Sequence, residues 1–463
     1  MKKIYKNYWL ICLVFLGFLS CNNDDGEVLF AESPAERIAG QNSELLNLLT
    51  SEQNGYKGTY FTKNDEFGGF TFYMKFNADG SVDMTSDFDS DTAIESSSYD
   101  VRYGTTNELV FTTRNHIQKV SDPQLPGLVG TGFKGTSVFQ YFGSQDGKLT
   151  FKDIRNRDSA SFVLEPSQLT DFETESVAKV ETTLAEREKL LTTPERSVFQ
   201  LLRIENSNGD SDFNLNYNPD LLFAKPRITF DDGSVTEFSF GILFEENGLV
   251  INPTLEFEGE SYTYFSYDAD SGSYISTVNG TTATILFGNE PAFIDKDIDD
   301  IVELGPTGFL YRPGLGSNPL TSLGFDALLE EISDNFAAFP LGEWLVNDVQ
   351  FTIDYESDNC DTYLYIQLLR VADGATFTAF YCFEKAVIND RKLFLTYSGP
   401  SGGNAPFFEP LVMPLIDFFS SSEGLIYSAE GGFSSTLFSF SNTAGTFTSV
   451  ENPSLRVYGL WFG

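Results

Sequence analysis

The sequence has very little histidine: His116 is the single one among 463 residues. A zinc site made of several histidines cannot be built from one chain of this kind, and a catalytic triad would have to use this one residue as its base. His116 follows Asn115 and precedes Ser121-Asp122-Pro123, which is typical of a loop after a strand. We therefore expect a hydrogen-bonded loop histidine and no catalytic triad.

Cysteine is also scarce, with four residues in all, and only Cys360 and Cys382 lie in the body of the chain. They flank a predicted hairpin turn at Ala372-Asp373-Gly374. A tight turn there would place Cys382 opposite a residue near Tyr365 and not opposite Cys360. We expect two free, buried cysteines, with a disulfide as the alternative that an oxidising compartment would permit.

Positive charge is the third shortage, because 29 lysines and arginines face 67 acidic residues. Removal of residues 1–20 leaves 26 basic residues and a net charge of −41. Nucleic-acid phosphates and anionic lipid headgroups repel such a chain, so we expect no nucleic-acid partner. Neutral glycans and basic peptides remain as ligand classes. With 41% apolar residues the chain can bury a sizeable core, and its length predicts two or three domains.

Long apolar runs are absent except at the N-terminus, where three lysines precede the apolar stretch from Tyr8 to Leu19. About a dozen apolar residues fit a signal peptide and are too few to span a bilayer. Ser20 and Cys21 follow directly, so residues 1–20 resemble a bacterial lipoprotein signal. Cys21 would then carry acyl chains such as palmitate, and residues 21–33 would form a tether. An ordinary cleaved signal is the alternative.

An acidic pair, Asp24-Asp25, follows the predicted lipidation site. Such a pair resembles the surface-export signal of Bacteroidetes lipoproteins, although a solvated tether has the same composition. We expect an outer-membrane protein, anchored by lipid and facing outside, with the periplasmic face as the alternative.

Aromatic residues are abundant, with 45 Phe and 21 Tyr, and they favour pleated sheets. Alternating strands are joined by turns such as Asp79-Gly80 and Asp146-Gly147, which are strong hairpin signals. We predict a mainly β fold with a few helices. The strands would form antiparallel sandwiches or lipocalin-like open barrels, in two or three lobes that are each preceded by a helix.

Helical patterns separate the strand-rich stretches. Ser33 is a predicted N-cap, a charged helix is predicted over 177–191, and an apolar helix over 322–336. The apolar stretch 407–419 contains Pro410 and Pro414, so we expect it to be kinked or split. We divide the chain into an N-terminal helix and β domain at 34–170, a helical linker at 171–197, and a β-rich region at 198–463, which can be separated into lobes 198–300 and 301–463.

Acidic loops are the only metal candidates in the sequence. Asp87, Asp89 and Asp91 alternate like the start of a calcium loop, but Thr92 and Ser98 occupy the places where an EF-hand needs Gly and Glu. We expect solvated turns here, and no metal or cofactor. The same holds for the other acidic loops, which contain Asp268, Asp270, Asp295, Asp297, Asp299 and Asp300.

The order of several short motifs resembles a known family. They run from the N-terminus to residue 123: Pro34-Ala35-Glu36-Arg37, Asn54-Gly55-Tyr56, Gly68-Gly69-Phe70, Met74-Lys75-Phe76, Asp79-Gly80-Ser81-Val82, Ser98-Tyr99, Leu109-Val110-Phe111, His116 and Ser121-Asp122-Pro123. With the lipoprotein signal, this order resembles the Bacteroidetes lipoprotein family catalogued as domain of unknown function 4302, mainly over residues 20–165. The stretch Gly130–Gly135 departs from the acidic, Gly-rich strand that is usual in the family.

The resemblance implies an accessory role in nutrient binding or uptake, beside a TonB-dependent transporter and its partner lipoprotein. It implies no established activity, and the sequence contains no catalytic motif, so we expect a protein that is not an enzyme. A structural adhesin or pilus-type subunit is one alternative. A glycosidase that acts through two carboxylates is another, although the sequence cannot indicate which of 67 acidic residues would form the pair.

Overall fold

Three antiparallel β-sheets and six α-helices make up the part of the chain that the computed structural model describes, which is residues 33–207, 209–304, 308–338, 342–353 and 360–462. The prediction of a mainly β fold with a few helices is confirmed. Cys21, Asp24 and Asp25, together with the rest of the predicted signal and nearly all of the tether, lie outside the described residues.

The first sheet is a closed eight-stranded barrel in which each strand pairs with the next along the chain. It closes because the first strand pairs with both the second and the eighth, so that Thr59 lies opposite Thr71 and Val163. The strands are β1 Tyr56–Phe61, β2 Gly69–Phe76, β3 Ser81–Ser86, β4 Glu95–Tyr103, β5 Asn107–Phe111, β6 Val138–Gln145, β7 Lys148–Asp153 and β8 Ser161–Pro166.

Two helices belong to this barrel: α1 Pro34–Leu49 precedes it, and the short α2 His116–Lys119 joins β5 to β6. The predicted N-cap of α1 is confirmed, because the Ser33 hydroxyl accepts from the Glu36 backbone N–H and the Glu36 carboxylate accepts from the Ser33 backbone N–H. The helix buries Leu45 and Leu49 in the same core as the barrel.

The second sheet has eleven strands and follows α3 Phe172–Glu188, whose N-cap is Asp171. Its spatial order is β11-β12-β15-β16-β17-β18-β19-β9-β10-β13-β14. The strands are β9 Phe199–Asn206, β10 Gly209–Asn214, β11 Tyr217–Asn218, β12 Phe223–Ala224, β13 Arg227–Thr229, β14 Val235–Glu237, β15 Phe240–Glu245, β16 Gly248–Phe257, β17 Glu260–Asp268, β18 Ser273–Val278 and β19 Thr281–Gly288.

The third sheet has ten strands in the order β24-β25-β27-β28-β29-β20-β21-β22-β23-β26. Its helices are α4 Asp297–Leu304, α5 Leu323–Ala338 and α6 Ala405–Phe419, with a 3₁₀ turn at Pro313–Leu315. The strands are β20 Gly308–Tyr311, β21 Trp344–Thr352, β22 Thr362–Arg370, β23 Ala375–Phe383, β24 Val387–Asn389, β25 Lys392–Phe394, β26 Tyr397–Pro400, β27 Leu425–Ser434, β28 Ser439–Ser449 and β29 Arg456–Phe462.

The first two sheets share one hydrophobic core, because their backbones meet without intervening side chains. Gly68 donates its N–H to the carbonyl of Leu221 at 2.9 Å. A Cβ at Gly68 would lie 2.3 Å from the carbonyl oxygens of Leu222 and Ile242, and a Cβ at Gly241 would lie 2.3 Å from that of Phe67. Only glycine permits this approach, which makes the barrel and the second sheet one packing unit.

The third sheet has a separate core, into which α5 and α6 pack their apolar faces. Of the two outcomes predicted for α6, a kink or a split, the split is wrong: Pro410 and Pro414 lie inside a single helix. Eight buried residues of this helix pack into the third core or beside it. Such tertiary packing offsets the hydrogen bonds that proline cannot make.

The expectation of two free cysteines is also wrong, because Cys360 and Cys382 form a disulfide with a Cα–Cα distance of 5.8 Å. The predicted hairpin exists, and its register places Cys382 opposite Tyr363. Cys360 lies just before β22 begins, however, and the register of a strand does not restrict residues that precede it. The chain can therefore bring Cys360 against Cys382 without disturbing the hairpin.

Candidate ligand-binding cleft

The interior of the first barrel is filled by its own side chains. The rings of Tyr60, Phe139 and Phe162 pack together there, with centroids 4.4 to 5.5 Å apart. The Tyr60 hydroxyl donates to Asp153 at 2.6 Å and accepts from the Thr136 N–H at 3.1 Å. Burial raises the pKa of Tyr60 well above its ordinary value, so this hydroxyl stays protonated. A ligand site must therefore lie outside the interior of the barrel.

The third sheet and its helices form what we call the third lobe. A cleft of about 630 Å³ lies between the second sheet and this lobe. Two salt bridges join the third lobe to the second sheet and to the segment after it. At the turn between β24 and β25, Arg391 binds Asp231 at 2.5 Å and Lys392 binds Glu290 at 2.6 Å. The volume of the cleft falls within the range of sites that hold small molecules. Segments that are distant in the chain therefore meet at one concave surface.

Aromatic and amide side chains line the side of the cleft formed by the second sheet, namely Phe199, Tyr217, Phe293, Gln200, Asn214 and Asn216. The amides are oriented by backbone contacts. Gln200 donates to the Leu190 carbonyl at 2.6 Å, Asn216 donates to the Lys225 carbonyl at 3.1 Å, and Asn214 accepts from the Ala292 N–H at 2.8 Å. Within the described residues, the amide oxygens of Gln200 and Asn216 and the amide nitrogen of Asn214 have no further bond and could bind a ligand.

Charged groups also line the cleft: Glu430 and Arg456 belong to the third sheet, and Asp295 belongs to the segment that follows the second sheet. Arg456 donates its Nε to the Leu320 carbonyl at 2.7 Å, and burial lowers its pKa. Burial raises the pKa of Glu430, against the smaller opposing effect of Arg456. Burial also raises the pKa of Asp295, and the neighbouring Asp297 adds to that shift. Two carboxylates with raised pKa values and one half-buried guanidinium therefore line the same cleft, although Asp295 and Glu430 keep much of their surface exposed. Perturbed pKa values of this kind are common in functional clefts.

Tyr217 connects the cleft to a group of buried polar atoms behind it. Its hydroxyl is buried and makes no hydrogen bond within the described chain. Burial raises the pKa of Tyr217, and Arg187 opposes that shift, so the guanidinium lies close to it. Glu186 Oε1, Arg187 Nε and Asp87 Oδ2 are likewise buried without a hydrogen-bond partner among the described residues. The cleft wall therefore adjoins a polar interior.

Asp87 is the most buried acid of this group, with no exposed surface. It accepts from the Thr71 N–H at 2.8 Å, and its Oδ2 lies 3.5 Å from Arg187 Nη2. Burial raises the pKa of Asp87 to about 6. The Arg187 guanidinium opposes this shift only in part, because at 3.5 Å its attraction for the carboxylate does not offset the loss of solvent around a fully buried charge.

The sequence matches the profile described as Domain of unknown function (DUF4302) over residues 26–269. The chain belongs to the DUF4302 family. The match extends beyond the expected residues 20–165 and includes most of the second sheet, which shares a core with the barrel.

No curated protein matches this DUF4302 chain. Among solved structures, it is similar to a DUF3598 family protein of unknown function from Nostoc punctiforme PCC 73102, with 9% identity over 59% of this chain and 96% of that one and a TM-score of 0.14. Transferrin Binding Protein B from Haemophilus parasuis Hp5, a vaccine antigen crystallised as a double mutant, has 10% identity over 86% and 66% of the two chains and a TM-score of 0.12. Neither likeness supports an argument about function.

The residues singled out in the DUF4302 sequence do not meet at one site. His116 is hydrogen-bonded as expected, with Nδ1 3.2 Å from Ser86 Oγ and Nε2 2.8 Å from the Ala93 carbonyl. The expected loop position is wrong, because Asn115 caps a short helix that begins at His116. Asp89 and Asp91 both bind Lys119, at 3.1 and 3.0 Å, while Asp87 points into the interior. The three aspartates therefore do not converge on one site.

Two absences hold for residues 33–207, 209–304, 308–338, 342–353 and 360–462 of the DUF4302 chain. No group of three or more His, Cys, Asp or Glu side chains there could hold a metal ion. No helix within those ranges is long and apolar enough to cross a bilayer.

Sequence reasoning missed most of the cleft. Asp295 was noted only as part of an acidic loop, and Phe199, Tyr217, Glu430 and Arg456 were not singled out. The cleft draws its lining from seven short stretches between residues 190 and 456. None of these stretches contains a local motif, so no sequence signal could have brought them together.

Proposed function

We propose that this protein is a lipid-anchored outer-membrane accessory protein of the Bacteroidetes type that binds a neutral glycan in the cleft between the second sheet and the third lobe. It would face the outside and pass its ligand to a TonB-dependent transporter and its partner lipoprotein. The cleft is the observation that carries the binding function. The signal before Cys21 supports the anchor, and Asp24-Asp25 supports surface export. We propose binding without catalysis.

The chemistry of the lining favours a polyhydroxylated ligand. Aromatic rings such as those of Phe199, Tyr217 and Phe293 offer faces to the C–H surfaces of a sugar. The amide and carboxylate oxygens outnumber the donors, and sugar hydroxyls can donate to all of them. A net charge of −41 after signal removal disfavours anionic ligands. A basic peptide is the alternative ligand, because Asp295 and Glu430 would attract it.

Calorimetric titration with neutral oligosaccharides and with basic peptides tests the binding proposal. We expect saturable glycan binding that Phe199→Ala weakens at least tenfold. Phe142→Ala is the matched control, since this exposed ring lies on the first barrel, far along the chain from the cleft. Peptide binding that Glu430→Gln abolishes would assign the cleft to peptides. An absence of both kinds of binding would refute the proposal.

A second candidate function is a two-carboxylate glycosidase, because Asp295 and Glu430 line the same cleft and both have raised pKa values. A raised pKa suits a general acid, and two carboxylates suit either glycosidase mechanism. Glycan turnover that both Asp295→Asn and Glu430→Gln abolish, with binding retained, would establish the enzyme. A chain that binds the glycan and leaves it intact would support the binding protein.

The anchor requires its own test, because it is independent of the cleft. Cys21→Ala should remove the thiol that receives the acyl chain, so labelled palmitate should no longer be incorporated and the protein should leave the outer-membrane fraction. Protease shaving of intact cells tests the exposed face. We expect the parent chain to be cleaved and an Asp24→Asn/Asp25→Asn variant to be protected. Retained palmitate labelling in Cys21→Ala would remove the basis for this localisation.

A further inference from the structure

The outer half of the β27–β28 hairpin extends beyond its neighbours in the third sheet. Strand β29 pairs with β28 only from Ala444 to Thr448, and β25 pairs with β27 only at Leu425 and Ile426. Every residue from 436 to 443 is exposed. Residues 431–443 therefore form a projecting two-stranded segment, which we call the hairpin arm.

The tip of the hairpin arm is held in place by the loop at 313–318. Thr436 donates its N–H to the Ser317 carbonyl at 3.0 Å, and its hydroxyl accepts from the Ser317 N–H at 3.1 Å. Asn318 donates to the Ser434 carbonyl at 2.8 Å, and the Tyr458 hydroxyl accepts from the Ser434 N–H at 2.9 Å. An isolated two-stranded ribbon is only marginally stable, so these bonds fix the arm before any partner arrives.

Large apolar side chains are exposed at this fixed tip. Leu437 is 67% exposed, Phe438 is 44% exposed and Phe440 is 40% exposed. The two phenylalanine rings are nearly parallel with centroids 5.8 Å apart, and Phe440 is stacked in turn on the buried Phe433 at 5.7 Å. The exposed rings are thus the outer end of an aromatic row that begins inside the protein.

The hairpin arm and the loop that braces it contain no charged residue, although Arg312 and Asp326 line a small pocket beside the brace and Phe433. Residues 431–450 and the bracing residues 313–322 contain no Asp, Glu, Lys or Arg. At the overall frequency of 21% charged residues, thirty residues would carry about six. Serine, threonine, asparagine and glycine surround the apolar side chains instead. In a chain this acidic, an uncharged segment can approach an apolar medium without removing water from ions of its own.

The size and shape of this exposed surface distinguish a lipid bilayer from a protein as its binding partner. The exposed parts of the three side chains amount to on the order of 300 Å². A stable protein interface buries about 800 Å² on each partner, and a second copy would bring the same large negative charge. A lipid interface needs only a few apolar side chains at a projecting tip, since it adapts to their shape. We propose that the hairpin arm docks on the neutral headgroup–acyl boundary of a lipid bilayer, with Leu437 and Phe438 inserted.

Vesicle binding by the chain that begins at Asn22 tests this proposal. That chain keeps all the described residues and lacks Cys21, so the result does not depend on the acyl anchor or on the cleft. We expect cosedimentation with neutral phosphatidylcholine vesicles that does not change between 0.1 and 0.5 M salt. Leu437→Ser/Phe438→Ser should reduce the partition coefficient at least tenfold. The matched control is Val129→Ser/Val387→Ser, which removes two exposed apolar side chains elsewhere and should leave it unchanged.

A tryptophan probe at the tip gives a second readout. In Phe438→Trp, emission should shift to the blue when vesicles are added, and brominated lipid should quench it. An emission spectrum that vesicles do not change, or vesicle binding that survives the double serine substitution, would overturn the proposal. A concentration-dependent dimer that the same substitution dissociates, without vesicle binding, would assign the arm to a second copy instead.

Discussion

The Gly68→Ala substitution would force apart the first barrel and the second sheet, and its cost follows from the contacts at that position. The new Cβ would lie 2.3 Å from two backbone carbonyl oxygens, those of Leu222 and Ile242. No side-chain rotation can relieve a clash with backbone, so the two strands must separate by roughly 1 Å. Overpacking costs about 1–3 kcal/mol, and loss of the Gly68–Leu221 hydrogen bond adds about 1 kcal/mol. We expect a destabilisation of about 3 kcal/mol.

The location of tryptophan makes the assay selective. The chain has three tryptophans: Trp9 lies in the predicted signal, and Trp344 and Trp461 lie in the core of the third sheet. Fluorescence therefore follows the third lobe, whereas far-ultraviolet circular dichroism follows all three sheets. Gly68→Ala should lower the urea midpoint of a circular dichroism transition by about 1 M and leave the fluorescence midpoint in place.

A matched control for this experiment is Gly40→Ala in α1, where a Cβ would meet no atom within 4 Å. Alanine is a better helix former than glycine, so this change should stabilise the chain by up to about 1 kcal/mol. The reasoning about the shared core is refuted if Gly68→Ala unfolds at the parental midpoint by circular dichroism, or if both probes shift together.

Three further predictions concern acids and cysteines. The Asp87 carboxyl loses its proton near pH 4 in the unfolded chain and near pH 6 in the folded one, so the free energy of unfolding falls as the pH rises across that interval. In urea titrations between pH 3.5 and 8, the free energy of unfolding of Asp87→Asn should therefore gain up to about 3 kcal/mol relative to that of the parent. Cys360→Ala/Cys382→Ala should lower the stability of the third lobe by about 3 kcal/mol in fluorescence-monitored unfolding, since 22 residues separate the bonded cysteines. Glu430 can accept ligand hydroxyls only when it is ionised, and its pKa is raised. Calorimetry should therefore show that glycan affinity begins to fall, on acidification, at a pH above the ordinary pKa of glutamate.

Local signals in the sequence predicted local structure well. Ser33 and Glu36 form the expected helix cap, and the Asp146-Gly147 turn joins β6 to β7 with both residues at positive φ. Such features depend on a few neighbouring residues, whose conformational preferences are the same in any fold. Hence strands, turns and caps could be predicted without knowing how the sheets would meet.

Features that depend on distant residues could not be predicted in the same way. The prolines of α6 indicated a split helix, but burial in the third core keeps it whole. No local pattern marks Gly68 or Gly241 as a contact point, and only the approach of the two sheets gives these glycines their importance. The cleft is the extreme case, because Phe199 and Glu430 are more than two hundred residues apart and neither belongs to a recognisable motif.

The position of the cleft has a thermodynamic consequence. One wall belongs to the unit formed by the barrel and the second sheet, and the other belongs to the third lobe, which has its own core. A ligand that touches Asn214 on one side and Arg456 on the other loses its site when either unit unfolds. At a free concentration of 100 times Kd it would add about 2.7 kcal/mol to the unfolding of whichever unit opens first. Two separate melting transitions would then merge into one, so the cooperativity of the whole chain would itself report occupancy.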